Sequence, residues 1–141
     1  VAKPRRRRTQ GTAPQRLILD SGAIVALARD DDRARAVLAS AWEAGVQVSI
    51  PAVVLAETVR GNDRDASANR VIKAVDAVVE ADAAVGRRAG GLLGSAGSDD
   101  TIDALVVASA LAVGGGVLLT SDPDDLRRLA EGRHEVQVQA L

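Results

Sequence analysis

The sequence predicts an α/β domain: a central parallel sheet of four to five strands flanked by helices. Two observations predict it. Short aliphatic runs of strand length alternate with longer segments of helical spacing, and such alternation builds a parallel sheet covered on both faces. The core-forming residues are also aliphatic. Hydrophobic residues make up 47% of the 141, Phe, Tyr and Met are absent, and Trp42 is the only aromatic residue. The length suits a single hydrophobic core.

The elements follow in order. "RLIL" is a short apolar strand that ends at Asp20. "SGAIVALAR" is a helix with Asp20 or Ser21 at its cap. "DRARAVLASAWEAG" is a second helix, with Ala36, Val37, Ala41 and Ala44 near helical spacing and Gly45 at its end. "VQVSI" alternates as a strand does. Pro51 suits the first turn of a helix "PAVVLAETVRG" closed by Gly61. "DASANRVIKAVD" is a further helix and "AVVE" a short strand. "ADAAVGRRAGGLLGSAG" is a helix weakened by its glycines. "TIDALVVASALAVG" is almost wholly apolar and therefore a buried helix. "VLLT" is a strand, "DDLRRLAEG" a helix and "EVQVQ" a final edge strand.

Composition excludes several kinds of chemistry. With no cysteine there are no disulfides and no thiolate metal sites. A single histidine, His134, argues against a His-based zinc site or a Ser-His-Asp triad. Base stacking on aromatic side chains cannot be the main mode of nucleic-acid recognition. No apolar run approaches the roughly 20 residues that span a bilayer, and no apolar segment follows the basic start as in a secretory signal. The expectation is a cytoplasmic protein without a membrane partner. The net charge of −1 hides an asymmetry. Residues 1–16 hold six basic residues and no acid, whereas the rest hold 12 basic and 19 acidic residues. Residues 1–15 are therefore read as a basic, flexible arm that attracts phosphates or is simply solvated, and 16–141 as the folded domain.

Four acids stand out by position. Asp20 and Asp122 end the "RLIL" and "VLLT" strands, Glu57 lies inside an apolar helix, and Asp103 lies at the start of the buried helix. Each has an ordinary reading. Asp20 and Asp122 suit helix N-caps, worth about 1 kcal/mol each. Asp100 and Asp103 have the spacing of a capping box, and Glu57 can face solvent. Read together, they suggest more. In a parallel sheet, ligands bind outside the carboxyl ends of the strands. Carboxylates gathered there repel one another unless a cation neutralises them. Hard ions such as Mg²⁺ or Mn²⁺ prefer oxygen ligands, and such an ion supports phosphodiester hydrolysis.

The segments "LILDSGAIVALA", "IPAVVLAETVRG", "DDTIDALVVASA" and "LLTSDPDDLRRLA" occur in an order that resembles the PIN-domain ribonucleases, in particular the VapC-type toxins of bacterial toxin–antitoxin pairs. The resemblance covers Leu17 to Ala130. It implies a PIN-like nuclease domain whose catalytic acids Asp20, Glu57, Asp103 and Asp122 hold Mg²⁺ or Mn²⁺. It adds Asp100 and Asp125 as further acids, and Ser21 and Thr120 as supporting hydroxyls. It implies an RNA substrate, such as transfer or ribosomal RNA, an inhibiting cognate antitoxin, and a homodimer. Arg60, Arg64, Arg87, Arg88 and the arm are then candidates to hold RNA against the acidic pocket. Two features depart from the pattern. The arm is longer than a typical start, and the usual aromatic after the last acidic motif is Leu126.

Other readings stay in view: a DNA-directed metal nuclease and a non-catalytic RNA- or protein-binding module. A phosphoacceptor receiver needs a lysine near its acids after a late strand, but the only lysines are Lys3 and Lys73. A haloacid-dehalogenase-type phosphatase wants a second Asp where Gly22 stands.

Overall fold

A computed structural model of the chain describes residues 15–141. The reading of the basic arm falls on residues 1–14, outside the described residues. Five strands, β1 (Arg16–Leu19), β2 (Gln47–Pro51), β3 (Ala77–Val79), β4 (Gly116–Thr120) and β5 (Val136–Ala140), form one sheet in the order β3-β2-β1-β4-β5. Every neighbouring pair is parallel. The helices are α1 (Ser21–Ala28), α2 (Asp32–Glu43), α3 (Ala52–Thr58), α4 (Ala66–Ala74), α5 (Ala83–Ala96), α6 (Thr101–Ala112) and α7 (Pro123–Leu129).

The aliphatic runs form the core as their composition requires. Leu17, Ile18 and Leu19 of β1 and Leu118 and Leu119 of β4 are buried, as are six residues of α6. Strands covered on both faces read as continuous apolar runs rather than alternating ones, and β1 and β4 do. Trp42 is buried at the end of α2. The chain runs outward from β1 through β2 to β3, then returns to place β4 on the other side of β1. The strand order therefore reverses between β1 and β4, and a crevice opens at their carboxyl ends.

Both boundaries of α3 differ from the sequence reading. Pro51 ends β2 in extended backbone (ψ 133°), paired with Val79, and α3 begins one residue later. Proline is admissible there because it fits the end of a strand, where its missing N–H leaves no interior ladder position empty. α3 also stops at Thr58 rather than Gly61. The cause is Asp65, whose buried carboxylate accepts the backbone N–H groups of Arg60, Gly61 and Asn62. Those amides turn away from the helix, and a short 3₁₀ turn, Asp63–Asp65, follows. Burial pushes the Asp65 carboxyl up, but the three amides outweigh it and hold the group below its ordinary value.

At the opposite end of the sheet, the Arg16 guanidinium donates to Val113 O at the end of α6. Gly115 and Gly116 enter β4 with φ of +87° and +147°. A Cβ on Gly115 would lie 2.2 Å from Glu135 O, whereas one on Gly86, inside α5, would meet nothing within 4 Å. Gly115→Ala is expected to destabilise the fold by about 2–3 kcal/mol, from left-handed backbone and overlap together. Gly86→Ala should stabilise it by about 0.5–1 kcal/mol. Urea unfolding of the two variants against the parent chain checks both signs.

Candidate metal centre

The β1–β4 crevice collects the acids. Asp20 follows β1 directly and is buried. Its N–H donates to Leu119 O at 3.0 Å, which locks the end of β1 to β4. It occupies the N-cap position of α1, yet its side chain makes no capping bond. Instead, Asp20 Oδ2 accepts the Thr120 hydroxyl at 2.8 Å. Thr120 is fully buried at the end of β4, and its oxygen also accepts the Asp122 N–H at 3.1 Å. One hydroxyl thus ties the turn after β1 to the turn after β4. Ser21, the first residue of α1, is half-buried beside them.

Three further carboxylates meet at this edge. Asp100 is the N-cap residue of α6, again with no side-chain capping bond, so the capping-box reading does not describe it. Asp103 lies in the first turn of α6 and Asp125 in the first turn of α7. Each of the three is half-buried and offers an oxygen within 4.8 Å of the other two. Burial pushes the Asp103 carboxyl up to about 6, reinforced by the negative charges of Asp20, Asp100, Asp125 and Glu57. Glu57, exposed near the end of α3, is raised by partial desolvation and then by Asp20. The charges acting on both groups are all negative. This donor set suits a hard divalent cation: clustered carboxylate oxygens whose mutual repulsion a positive ion would relieve.

The predicted residues therefore separate. Asp20, Glu57 and Asp103 lie in one electrostatic field, joined by Asp100 and Asp125, with Thr120 bonded to Asp20. Asp122 is exposed and is not among the charges acting on Asp103. The phase of α7 explains this. Asp122 precedes Pro123, where the helix starts, and Asp125 comes round toward Asp103 at the end of the first turn.

The arginines separate too. The Arg60 guanidinium folds back on Ala56 O and Val59 O at 2.8 and 2.9 Å. Arg64 is exposed in the 3₁₀ turn. Arg87 and Arg88 are exposed on α5. Arg88 lines a shallow cleft with Ala108 and Ala112, which lie about 7 to 14 Å along α6 from Asp103 at 1.5 Å per residue. The residue that the sequence reading missed is Asp65, which fixes the loop after Glu57. Its signal was present: Asn62 and Asp65 have capping-box spacing after Gly61.

A family model described as "PIN domain" matches residues 17–132. No curated protein matches the chain. Among solved structures, the fold is similar to that of VapBC2 from Rickettsia felis bound to a DNA fragment from their promoter. That match has a TM-score of 0.70 and 16% identity over 89% of this chain and 98% of that one. It is also similar to a toxin–antitoxin complex from Klebsiella pneumoniae (TM-score 0.67, 18% identity, 89% and 99% covered). A third is VapBC-5 from Mycobacterium tuberculosis (0.57, 20%, 91% and 100%). At these identities the likeness is one of fold.

The Asp103 carboxyl yields a prediction for the metal-free protein. The folded chain holds this proton more tightly than the unfolded chain. Its contribution to stability is therefore complete below pH 3.8 and lost as pH rises through about 6. Asp103→Asn removes that loss, so with chelator present the variant should be the more stable of the two at pH 7 to 8. The gain is on the order of 1 kcal/mol, after allowing for solvent screening of a half-exposed group. Thermal melts of both proteins from pH 5 to 8 test this; a difference that stays flat with pH would refute the raised value.

Proposed function

The chain belongs to the PIN-domain family, and on that premise we propose that it is a divalent-metal-dependent endoribonuclease acting as the toxin of a toxin–antitoxin pair. The observation that carries the reading is the meeting of Asp100, Asp103 and Asp125, with Asp20 and Glu57 acting on the same group, at the sheet's carboxyl edge. Asp20, Glu57 and Asp103 are the proposed inner ligands for Mg²⁺ or Mn²⁺, with Asp100 and Asp125 beside them. Asp122 contributes from the exposed start of α7.

A bound divalent ion supplies Lewis acidity there: it lowers the pKa of water and offsets negative charge on a phosphoryl oxygen. The chain's own part is arrangement. Thr120 donates to Asp20 Oδ2 and so holds that carboxylate in one orientation at the end of β1. The first turns of α6 and α7 bring Asp103 and Asp125 together. Burial and then the neighbouring acids raise the Asp103 carboxyl to about 6, so above that pH the edge is ionised and attracts cations. The same negative field opposes an RNA backbone, so substrate must be held by cations away from the acids. Arg64, Arg87 and Arg88 are exposed for that role, whereas Arg60 must first leave the carbonyls at the end of α3.

An RNA substrate, transfer or ribosomal, is proposed from the family resemblance. So are the antitoxin partner, the homodimer and a cytoplasmic location; the similar folds named above come from VapBC and toxin–antitoxin complexes. No helix among the described residues is long and apolar enough to cross a membrane.

The test is cleavage of a mixed RNA pool by purified protein with Mn²⁺, with Mg²⁺ and with chelator, with a DNA pool in parallel. Asp103→Asn should stay folded and lose cleavage by about 100-fold or more, and chelator should abolish it. Cutting by the variant at the parent rate would remove Asp103 from the site. Cutting of DNA alone would replace the RNA reading.

A further inference from the structure

The two turns that border the acidic edge touch through a glycine. Gly22 lies in the first turn of α1, two residues after Asp20. A Cβ placed on it would fall 2.0 Å from Ser121 Oγ, 2.8 Å from Ser121 Cβ and 3.1 Å from Ser121 N. Rotation of the serine would move the hydroxyl aside. It would move neither Cβ nor the backbone nitrogen. Any side chain at position 22 therefore displaces the turn after β4. The glycines inside α5 are different: a methyl group at Gly86, Gly90, Gly91 or Gly94 would meet nothing within 4 Å.

The turn that would move is the one that builds the site. It begins at Thr120, whose hydroxyl binds Asp20, and ends where α7 begins at Pro123. Asp125 is two residues further on, in the same rigid first turn. Displacing Ser121 therefore shifts Asp125 against Asp103 and Asp100, and strains the Thr120–Asp20 bond. Functional groups have to be held to within about 0.5 Å, and Mg²⁺ in particular demands near-octahedral geometry.

We infer that Gly22 is a positioning residue: its missing side chain lets α1 close on Ser121, and this contact sets the place of Asp125 relative to the other carboxylates. The inference rests on reading the edge as a metal site. It does not require that the substrate be RNA.

The experiment compares the parent chain, Gly22→Ala and Gly22→Ala/Ser121→Gly, with Mn²⁺ affinity by calorimetry and RNA cleavage as readouts and circular dichroism to establish folding. Gly22→Ala should lose about 10- to 100-fold in Mn²⁺ affinity, the range for residues that orient metal ligands, with cleavage falling in parallel. The double variant keeps the new methyl and removes the Ser121 side chain it meets, so it should regain most of both. A general structural defect would not be rescued by shortening that one partner. If Gly22→Ala alone does not fold, the double variant decides: folded with near-parent Mn²⁺ affinity supports the inference, and folded with weak affinity overturns it. Parent-like Mn²⁺ binding by Gly22→Ala also overturns it. A parent chain that binds Mn²⁺ without cutting RNA defeats the ribonuclease reading and leaves this comparison valid, whereas a parent chain with no Mn²⁺ affinity defeats both.

Discussion

The parallel pairing of β1 with β4 is the constraint on which the acidic edge depends. Leu19 is paired with Leu119, so the two strands end within one residue of each other and release their chains into neighbouring turns. The Asp20 N–H to Leu119 O bond closes that ladder, and the Thr120 hydroxyl joins the side chains across it. The apolar runs do the rest. With both strands apolar on both faces, a slip in register would draw the carboxylates that follow them into the apolar layer, at a cost of several kcal/mol. Burial of the strands thus specifies the separation of the two turns, and with it the crevice.

Electrostatics then works against packing. Asp20 is buried, Asp103 is half-buried, and other carboxylates stand close to both. Such an arrangement is unfavourable in the folded chain. The rest of the molecule offers a contrast in Asp65, which is equally buried but surrounded by three amides and held below its ordinary value. One buried carboxylate is satisfied by the backbone and serves structure. The group at the crevice is not so satisfied, and a strained local charge balance of this kind marks sites that carry chemistry.

The helix caps make the same distinction. Asp31 and Asp82 accept N–H groups from the first turns of α2 and α5, as an N-cap aspartate ordinarily does. Asp20, Asp100 and Asp122 hold N-cap positions too, but their side chains make no such bond. Sequence alone does not separate these two groups, because both place Asp immediately before a helix. The hydrogen bonds do. A fourth N-cap aspartate without a capping bond, Asp65 of α4, is held instead by the amides of Arg60, Gly61 and Asn62, whereas Asp20, Asp100 and Asp122 open α1, α6 and α7, the helices whose first turns border Asp103 and Asp125.

The sequence by itself determined the periods of the elements, the aliphatic core and the acids that follow β1 and β4. These are local properties: strand and helix spacing, turn residues and burial are written in neighbouring positions. It also held the membership of Glu57 and Asp103 in the field of Asp20, through segments whose order resembles a known family. The tertiary structure decided what depends on distance and phase. It brought Asp125 rather than Asp122 to Asp103, because the start of α7 at Pro123 sets the angle at which each residue leaves the helix. It ended α3 at Thr58 through Asp65, and it pressed Gly22 against Ser121. Thr120 and Asp20 are 100 residues apart in the chain and 2.8 Å apart in the fold. No local pattern encodes that contact; it exists because two buried strands must lie side by side.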